Sequence, residues 1–314
     1  MIIIRSNFKK INGSLSLAIG NFDGVHKGHK FIIDQLRTCK QNVGDKIGIL
    51  SFYPHPVKVI NPGAWKNNLI RFRTKYYLLK QEKIDFFINL RFDKNLSKMS
   101  ATSFIEKYLI ELMSVKNVLV GEDFRFGRNR EGNINLLNKY HNEGKFNLRY
   151  FKKIGTQEPF SSSSAKEYLS LGKMEEINSL LGYFWEVSGK VIRGKAMGRH
   201  LGFPTANINY LYQMAPSNGI YACWVKIESE NNWRMAAISS GIRPQYKGKE
   251  KILEVHILNY TGNLYKKRLR VKFVKKIRDE QVFDSEKALI KQMEEDCKFI
   301  KNVLINNKQG IKKI

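Results

Sequence analysis

The sequence predicts an α/β domain with a parallel sheet, followed by a smaller β domain closed by a helix. Three observations predict it. Short apolar runs alternate with amphipathic helical patterns over residues 1–183. From Trp185 onward the pattern changes to closely spaced strands separated by turn residues. A last stretch then places Leu289, Met293, Ile300 and Leu304 on one side of a helix. Strand and helix in alternation imply crossover connections and a ligand site at the carboxyl ends of the strands, whereas regularly spaced strands imply a barrel or sandwich. The change of texture sets two domains, 1–183 and 184–314.

In chain order, "MIIIR", "SLSLAIG", "KIGILSFY", "DFFINL", "VKNVLVG" and "FNLRYFK" read as strands. Between them "HKFIIDQLRTCK", "RTKYYLLKQEK" and "SATSFIEKYLIELMS" carry helical spacing. In the last, Phe104, Ile105, Tyr108, Leu109 and Leu112 form one stripe, and Ser103 with Glu106 is expected to form a capping box. "AKEYLSLGKMEEINSLLG" is helical and leads into the strands "FWEVSGKVI", "GIYACWVKIES", "WRMAAISSG", "KILEVHILNY" and "LRVKFVKKI".

Composition narrows the function. A length of 314 residues suits two domains with sizeable cores, and 42% hydrophobic content argues against disorder. Cys39, Cys223 and Cys297 show no metal-ligand spacing and read as reduced thiols of a cytoplasmic protein. No apolar run approaches the roughly 18 residues of a membrane helix, and "MIIIR" is too short for a signal-peptide core. The formal charge of +27 attracts anions such as nucleotides, phosphates or nucleic acid. The lysines are scattered along the chain, so charge alone does not make this a nucleic-acid protein.

The densest motif is "GNFDGVHKGHK", Gly20 to Lys30, between a strand and a helix starting near Gly28. Unpaired N–H groups of a first helical turn, with the positive end of its dipole, make an anion site. Glycines let a phosphate approach the backbone, and imidazoles at His26 and His29 can add donors to its oxygens. Such an arrangement suits displacement of pyrophosphate at the α-phosphorus of ATP, where positioning and charge stabilisation do most of the work. A metal site from His26, His29 and Asp23, and a structural turn with two solvent-facing histidines, are the competing readings.

Further stretches carry chemistry. In "VLVGEDFRFGRNREG", Phe124 or Phe126 can pack on a flat ring and Arg125 or Arg128 can bind a phosphate; ordinary packing explains the phenylalanines equally well. His55, between two prolines, either lines a ligand cleft or is structural. "GKVIRGKA" nearly satisfies a P-loop pattern, but Ala196 stands where a hydroxyl should hold magnesium and no helix pattern follows. Gly194, Gly198 and Gly202 there shape a loop over nucleotide phosphates instead. In "GFPTAN" the extended backbone puts Thr205 and Asn207 on one side, as hard oxygen ligands for Mg²⁺. In "KILEVHIL" Glu254 and His256 face away from Leu253, Val255 and Ile257, and Glu254 can take a hydroxyl proton. Taken alone, "PTAN" is also an ordinary loop, and the strand's polar face is also merely solvated.

"GNFDGVHKGHK", "SFYPHP" and "GEDFRFGRNREGN" resemble the first domain of the bacterial bifunctional FAD synthetases, riboflavin kinase/FMN adenylyltransferases with an HxGH nucleotidylyltransferase signature. "GKVIRGKAMGRHLGFPTAN", "LEVHILNYTGNLY" and "KKIRDEQVF" resemble their riboflavin kinase. The resemblance implies a Rossmann-like adenylyltransferase domain, a six-stranded β-barrel kinase domain, ATP, riboflavin and FMN as substrates, and Mg²⁺. It implies catalytic roles for His26, His29 and Glu254, and metal binding by Thr205 and Asn207. It implies nucleotide binding by Gly20, Phe22, Asp23, Gly24, Gly28, Ser162, Ser163, Lys166, Gly194, Lys195, Gly198 and Arg199. Flavin binding is implied for His55, Asp123, Phe124, Arg125, Phe126, Gly127, Arg278 and Glu280.

The chain departs from the family pattern at Ser164 and Lys166, where arginines are expected, and at Ser239 and Gln245. Ser162 or Ser163 is expected to cap the helix that follows. The alternatives to a bifunctional enzyme are a riboflavin kinase whose first domain has lost adenylylation and a basic nucleic-acid-binding protein. Intact "GNFDGVHKGH" and "DFRFG" oppose the first alternative, and the dispersed lysines oppose the second. Nucleic acid and membranes are not expected partners; a homo-oligomer stays open.

Overall fold

The structure, a computed structural model, describes residues 1–5, 10–152, 160–194, 197–210, 213–242 and 251–308. Lys195 and Gln245 lie outside the described residues. The chain divides into two compact units, one of Met1–Lys66 with Lys75–Ser161 and one of Asn67–Thr74 with Ser162–Ile314.

The first unit is a six-stranded parallel sheet. Its strands are β1 (Ile2–Ile4), β2 (Leu15–Ile19), β3 (Lys46–Tyr53), β4 (Phe86–Arg91), β5 (Val115–Gly121) and β6 (Asn147–Phe151). Around it run α1 (Lys27–Thr38), α2 (Pro56–Ile60), α3 (Phe72–Gln81, from Lys75 onward in this unit), α4 (Lys94–Lys98), α5 (Ala101–Phe104) and α6 (Ile134–Asn142). The strand order is β1-β4-β3-β2-β5-β6, and every residue of β2 is buried, as expected for a central strand covered on both faces. Leu17, Ile19, Leu50, Ile88 and Val118 pack one face of the core with Phe104, Ile105 and Leu109.

The expected stripe on "SATSFIEKYLIELMS" is therefore buried as a helix face, but α5 continues as a π-helical stretch, Ile105–Leu112. The capping expectation is corrected. Ser100, not Ser103, is the N-cap, its hydroxyl accepting the Ser103 N–H, while Glu106 accepts the Tyr140 hydroxyl at 3.0 Å. The helix begins one turn earlier than the apolar stripe suggests, so the hydroxyl that meets its open N–H groups belongs to the earlier serine.

The second unit is a closed barrel of β7 (Glu186–Ile192), β8 (Ala206–Asn209), β9 (Gly219–Ile227), β10 (Trp233–Ile242), β11 (Lys251–Ile257) and β12 (Arg268–Arg278), ordered β10-β11-β8-β7-β12-β9. Five strands coincide with the apolar runs, and β8 is the stretch "ANIN" that reads as extended loop in the sequence. Val187, Tyr221, Cys223, Ile238, Leu253 and Phe273 are buried at alternate positions, the period-two pattern of barrel strands. α7 (Ser162–Leu171), α8 (Met174–Leu181) and α9 (Met197–His200) precede or interrupt the barrel, and α10 (Glu286–Asn306) packs Ile300 and Leu304 against Ala222, Trp224 and Val274. The segment Asn67–Thr74 belongs here because the Leu69 carbonyl accepts the Trp185 indole N–H at 2.8 Å and the Gln213 amide at 2.9 Å. Among the described residues no helix is long and apolar enough to cross a membrane.

Candidate active sites

The order of the parallel sheet locates the first site. The chain builds β3 and β4 on one side of β2 and then crosses to place β5 on the other. Ligands of open α/β sheets bind in the crevice at such a reversal, beyond the carboxyl ends of the two strands. The loop after β2 is Gly20–His26, and the loop after β5 contains Asp123, Phe124, Arg125, Phe126 and Gly127. The two motifs singled out in the sequence are thus the two loops of one crevice.

The first loop is tightly wound. Phe22 (φ 47°), Gly24 (φ 91°) and Val25 (φ 40°) all have left-handed backbone, costly for Phe and for β-branched Val. Phe22, Asp23, Gly24 and Val25 are buried. The loop delivers His26 as the N-cap of α1, its Nδ1 accepting the His29 N–H at 3.4 Å, which leaves Nε2 as the protonated nitrogen. The two imidazoles stack at 3.6 Å between centroids, and Phe22 stacks on His29 at 4.6 Å. At Gly28 a Cβ would stand 3.1 Å from the Phe160 carbonyl and 3.2 Å from the His26 ring, so any larger residue would push these neighbours back by a few tenths of an ångström.

Burial sets the charge state. It lowers the His26 pKa to about 4 and pushes His29 well below the usual value, with repulsion from His26 and Lys75 adding to the second shift. Both imidazoles are neutral at physiological pH, each with one N–H to donate. His26 is 4% exposed, which overturns the reading of a turn with solvent-facing histidines. His26, His29 and Asp23 are not brought together as metal ligands, and no group of three or more His, Cys, Asp or Glu among the described residues is.

His55 is the N-cap of α2. Its Nδ1 accepts the Val57 N–H at 3.3 Å, its Nε2 meets the Asn21 amide at 2.9 Å, and its ring packs on Trp65. Phe124 and Phe126 stack at 5.3 Å, but Phe126 is a core side chain against Phe104, so Phe124 carries the more open ring face. Asp123 and Arg125 are exposed. Gly127 (φ 73°) lies on the Ala101 backbone with no room for a Cβ. Ser162 begins α7, so Ser162 and Ser163 both stand in its first turn, with Lys166 one turn on.

Sequence reasoning missed Lys75. It lies on the apolar side of α3 with Leu78 and Leu79, and its ammonium donates to the Asn21 carbonyl at 2.6 Å. Desolvation lowers its pKa to about 8 despite the attraction of Asp23. The available signal was a lysine at positions i−3 and i−4 from buried leucines.

The second site lies on the barrel. The register sets Asn207, Glu254 and Ser239 side by side across β8, β11 and β10, on the face opposite the packed interior. A cavity of about 480 Å³ is lined by Gly198, Thr205, Ser239, Glu254, Arg278 and Glu280, with an apolar wall from Phe283, Leu289 and Met293. A second cavity of about 520 Å³, lined by Arg199, Thr205, Tyr260, Asn263 and Tyr265, shares Thr205 with the first. The threonine expected to face a metal therefore stands where the two cavities meet. Asn207 is 5% exposed beneath Gly194, where any Cβ would collide with its amide. That close cover, a hydroxyl and an amide carbonyl give the oxygen donors that Mg²⁺ accepts alongside phosphate and water.

Arg278 is held by Asp296 of α10, with Nε at 3.0 Å and Nη2 at 2.7 Å from the carboxylate, and its guanidinium lies 5.7 Å from the Phe283 ring. Glu280 is exposed and its carboxylate lies against Gly241. α10 reads in the sequence as a packing helix. Its leucine and methionine in the cavity wall, and its aspartate on Arg278, were not legible there.

An HxGH loop at a sheet reversal, joined to a barrel with two cavities meeting at a threonine, defines a nucleotide-dependent transferase with two separate sites. The FAD synthetase family model matches residues 8–165 and the riboflavin kinase family model matches residues 181–304. The chain belongs to the bifunctional riboflavin kinase/FMN adenylyltransferase family. It is 36% identical over 308 residues to the member from Buchnera aphidicola subsp. Schizaphis graminum, covering 94% of this chain and 96% of that one. To the Escherichia coli K12 member it is 34% identical over 284 residues, covering 89% and 90%. A solved structure from Streptococcus pneumoniae, described as a macrolide-efflux protein, matches with a TM-score of 0.85 at 25% identity over 96% of this chain and 99% of that one.

Proposed function

We propose that this protein phosphorylates riboflavin to FMN with ATP and then adenylylates FMN to FAD, releasing pyrophosphate. The observation that carries the bifunctional reading is the intact first site, with a neutral, stacked histidine pair at a helix N-terminus in the crevice of a parallel sheet. A chain that had kept only the kinase would have no need of the strained loop that holds this pair. Residues 1–183 carry the adenylyltransferase and residues 184–314 the kinase.

In the kinase, the cavity with the apolar wall takes the isoalloxazine ring, and the Tyr260 and Arg199 cavity takes ATP. Glu254 receives the proton of the ribityl 5′-hydroxyl as it attacks the γ-phosphate. Thr205 and Asn207 would hold Mg²⁺, which when bound neutralises phosphate charge. Gly194, Gly198 and Arg199 cover the phosphates, and Lys195 binds the same nucleotide. Arg278 and Glu280 border the flavin, with Arg278 fixed by Asp296.

In the adenylyltransferase, the first turn of α1 with Gly20, Phe22, Asp23, Gly24 and Gly28 cradles ATP. His26 and His29 donate to oxygens around the α-phosphorus as the FMN phosphate attacks and pyrophosphate leaves. Phe124 packs on the flavin, with Asp123, Arg125 and Gly127 around it. Ser162, Ser163 and Lys166 serve the nucleotide, Lys166 as a point charge in place of a forked guanidinium. The protein acts in the cytoplasm on small molecules, without a nucleic-acid or membrane partner.

Incubation with riboflavin, ATP and Mg²⁺, followed by chromatography, tests the assignment. FMN and FAD together are expected. FMN alone would select the kinase with a decayed first domain, and neither product would overturn both enzyme readings.

A further inference from the structure

The adenylyltransferase reading leaves one buried ammonium without a task. The loop Gly20–His26 holds two non-glycine residues in left-handed backbone, so something must hold it in that conformation. Asn21 is where it is held. Its carbonyl accepts from Lys75 Nζ at 2.6 Å and from the Ser51 hydroxyl at 3.2 Å, while its side-chain amide meets His55 Nε2 at 2.9 Å. Of these three anchors only Lys75 carries a full charge. The ammonium is close enough to act on Asp23 in the same loop and on His29 in α1. A lysine on the inner side of a helix is costly to desolvate, and a carbonyl that needed only a donor is already served by Ser51.

We propose that Lys75 is a positioning residue for adenylyl transfer, pinning the strained loop through Asn21 and setting a fixed positive charge beside the histidine pair. The charged and titratable groups it faces are Asp23 from the loop and His29 from α1, with His26 stacked on His29 and His55 joined through Asn21. Burial chiefly keeps His29 unprotonated, its neighbour His26 adds to this, and the ammonium adds a further push in the same direction, so His29 stays a neutral donor. The loop keeps the geometry in which both imidazoles address one phosphorus. This inference rests on the adenylyltransferase reading of the first unit.

Lys75→Met keeps the length of the side chain and removes its charge and its hydrogen bond. Full-length protein carrying it should form FMN from riboflavin at the unsubstituted rate. Its kcat for FAD formation from FMN should fall roughly 10- to 100-fold, the cost of a small misplacement at a reacting centre, with KM for FMN little changed. Lys75→Arg, which keeps the charge, should retain more of kcat than Lys75→Met. NMR titration of the imidazoles without substrate reads the coupling independently of turnover, and the His29 titration should move upward in Lys75→Met. Undiminished FAD synthesis, or a fall in both activities with a lowered melting temperature, would overturn the proposal, as would an unmoved His29 titration. If the unsubstituted protein makes no FAD, the adenylyltransferase reading itself fails, whatever the titration shows.

Discussion

His26 has one role in the structure and a second in the proposed adenylyl transfer, and they can be separated. Its Nδ1 caps α1 by accepting the His29 N–H, and in the proposed transfer its Nε2 donates to a phosphate. His26→Asn preserves the first role, because asparagine is among the best N-cap residues and accepts at the same N3 position. It abolishes the second, since the short amide cannot reach where the imidazole N–H points. The cap bond is long at 3.4 Å, so its loss in His26→Ala should cost about 0.5 kcal/mol, the low end for caps. Loss of a donor aimed at charge developing in the transition state costs about 3 kcal/mol, or roughly 10²-fold in rate. FAD formation should therefore fall about equally in His26→Asn and His26→Ala, with FMN formation from riboflavin unchanged in both.

Stability against pH gives an independent reading of the same residue. Folded His26 has a pKa lowered to about 4, against the ordinary 6.5 when unfolded. Between these values the unfolded chain binds a proton that the folded chain does not. Stability is therefore full above pH 6.5 and is lost as pH falls toward 4, by at most ~3 kcal/mol for this group. His29, shifted in the same direction, adds to the slope. Chemical denaturation at a series of pH values should show a shallower acid slope in His26→Asn than in the unsubstituted protein. Full FAD synthesis by His26→Asn would refute the donor role and leave His26 as a helix cap alone.

Four further substitutions address the barrel. Glu254→Gln keeps the side-chain shape and removes the base, so riboflavin phosphorylation should fall by roughly 10²-fold while FAD formation from supplied FMN survives; unchanged kinase turnover would remove Glu254 from the mechanism. Thr205→Ala and Asn207→Ala should each raise the Mg²⁺ concentration needed for half-maximal kinase rate, and an unaltered requirement would mean that these oxygens do not face the metal. Asp296→Ala strands the Arg278 guanidinium, whose side chain is 17% exposed against 7% for the aspartate, and should cost about 3 kcal/mol in denaturant unfolding and weaken riboflavin binding; retention of both would show that the pair is incidental.

The fold was legible wherever one physical signal dominated. All strands of the parallel sheet coincide with apolar runs; a central strand buried on both faces is almost wholly apolar, and in β2 the one polar residue, Ser16, accepts a hydrogen bond from the Asn117 amide. β8 was not legible as a strand. Its four residues include Asn207, buried at 5% exposure by the chain around Gly194 and not by the barrel interior. The Ser103–Glu106 capping box failed because the sequence offers serines at 100 and 103, and only the course of the backbone shows which one meets the open N–H groups. At the sites, the paired histidines were visible as a motif, but their stacking, burial and neutrality were not. Lys75 and Asp296 were invisible for a common reason. Each is an ordinary charged residue in an amphipathic helix until tertiary packing turns it toward a loop carbonyl or a guanidinium.

The neutrality of the histidine pair bears on why a chain of net charge +27 should place uncharged donors at its proposed adenylylation site. Dispersed lysines raise the local concentration of ATP and FMN without regard to reaction coordinate, and an interaction equal in ground and transition states leaves kcat unchanged. A charged imidazolium pair would hold the triphosphate, and then the pyrophosphate product, tightly at every stage. Two neutral N–H groups, locked by stacking and by the buried loop, have direction but little long-range pull. In the proposed transfer they would favour the phosphorus geometry in which oxygens move onto their axes, and would release product as that geometry is lost. On this account the positive charge belongs beside the histidines and not on them, which is the arrangement that Lys75 and its contact with Asn21 provide.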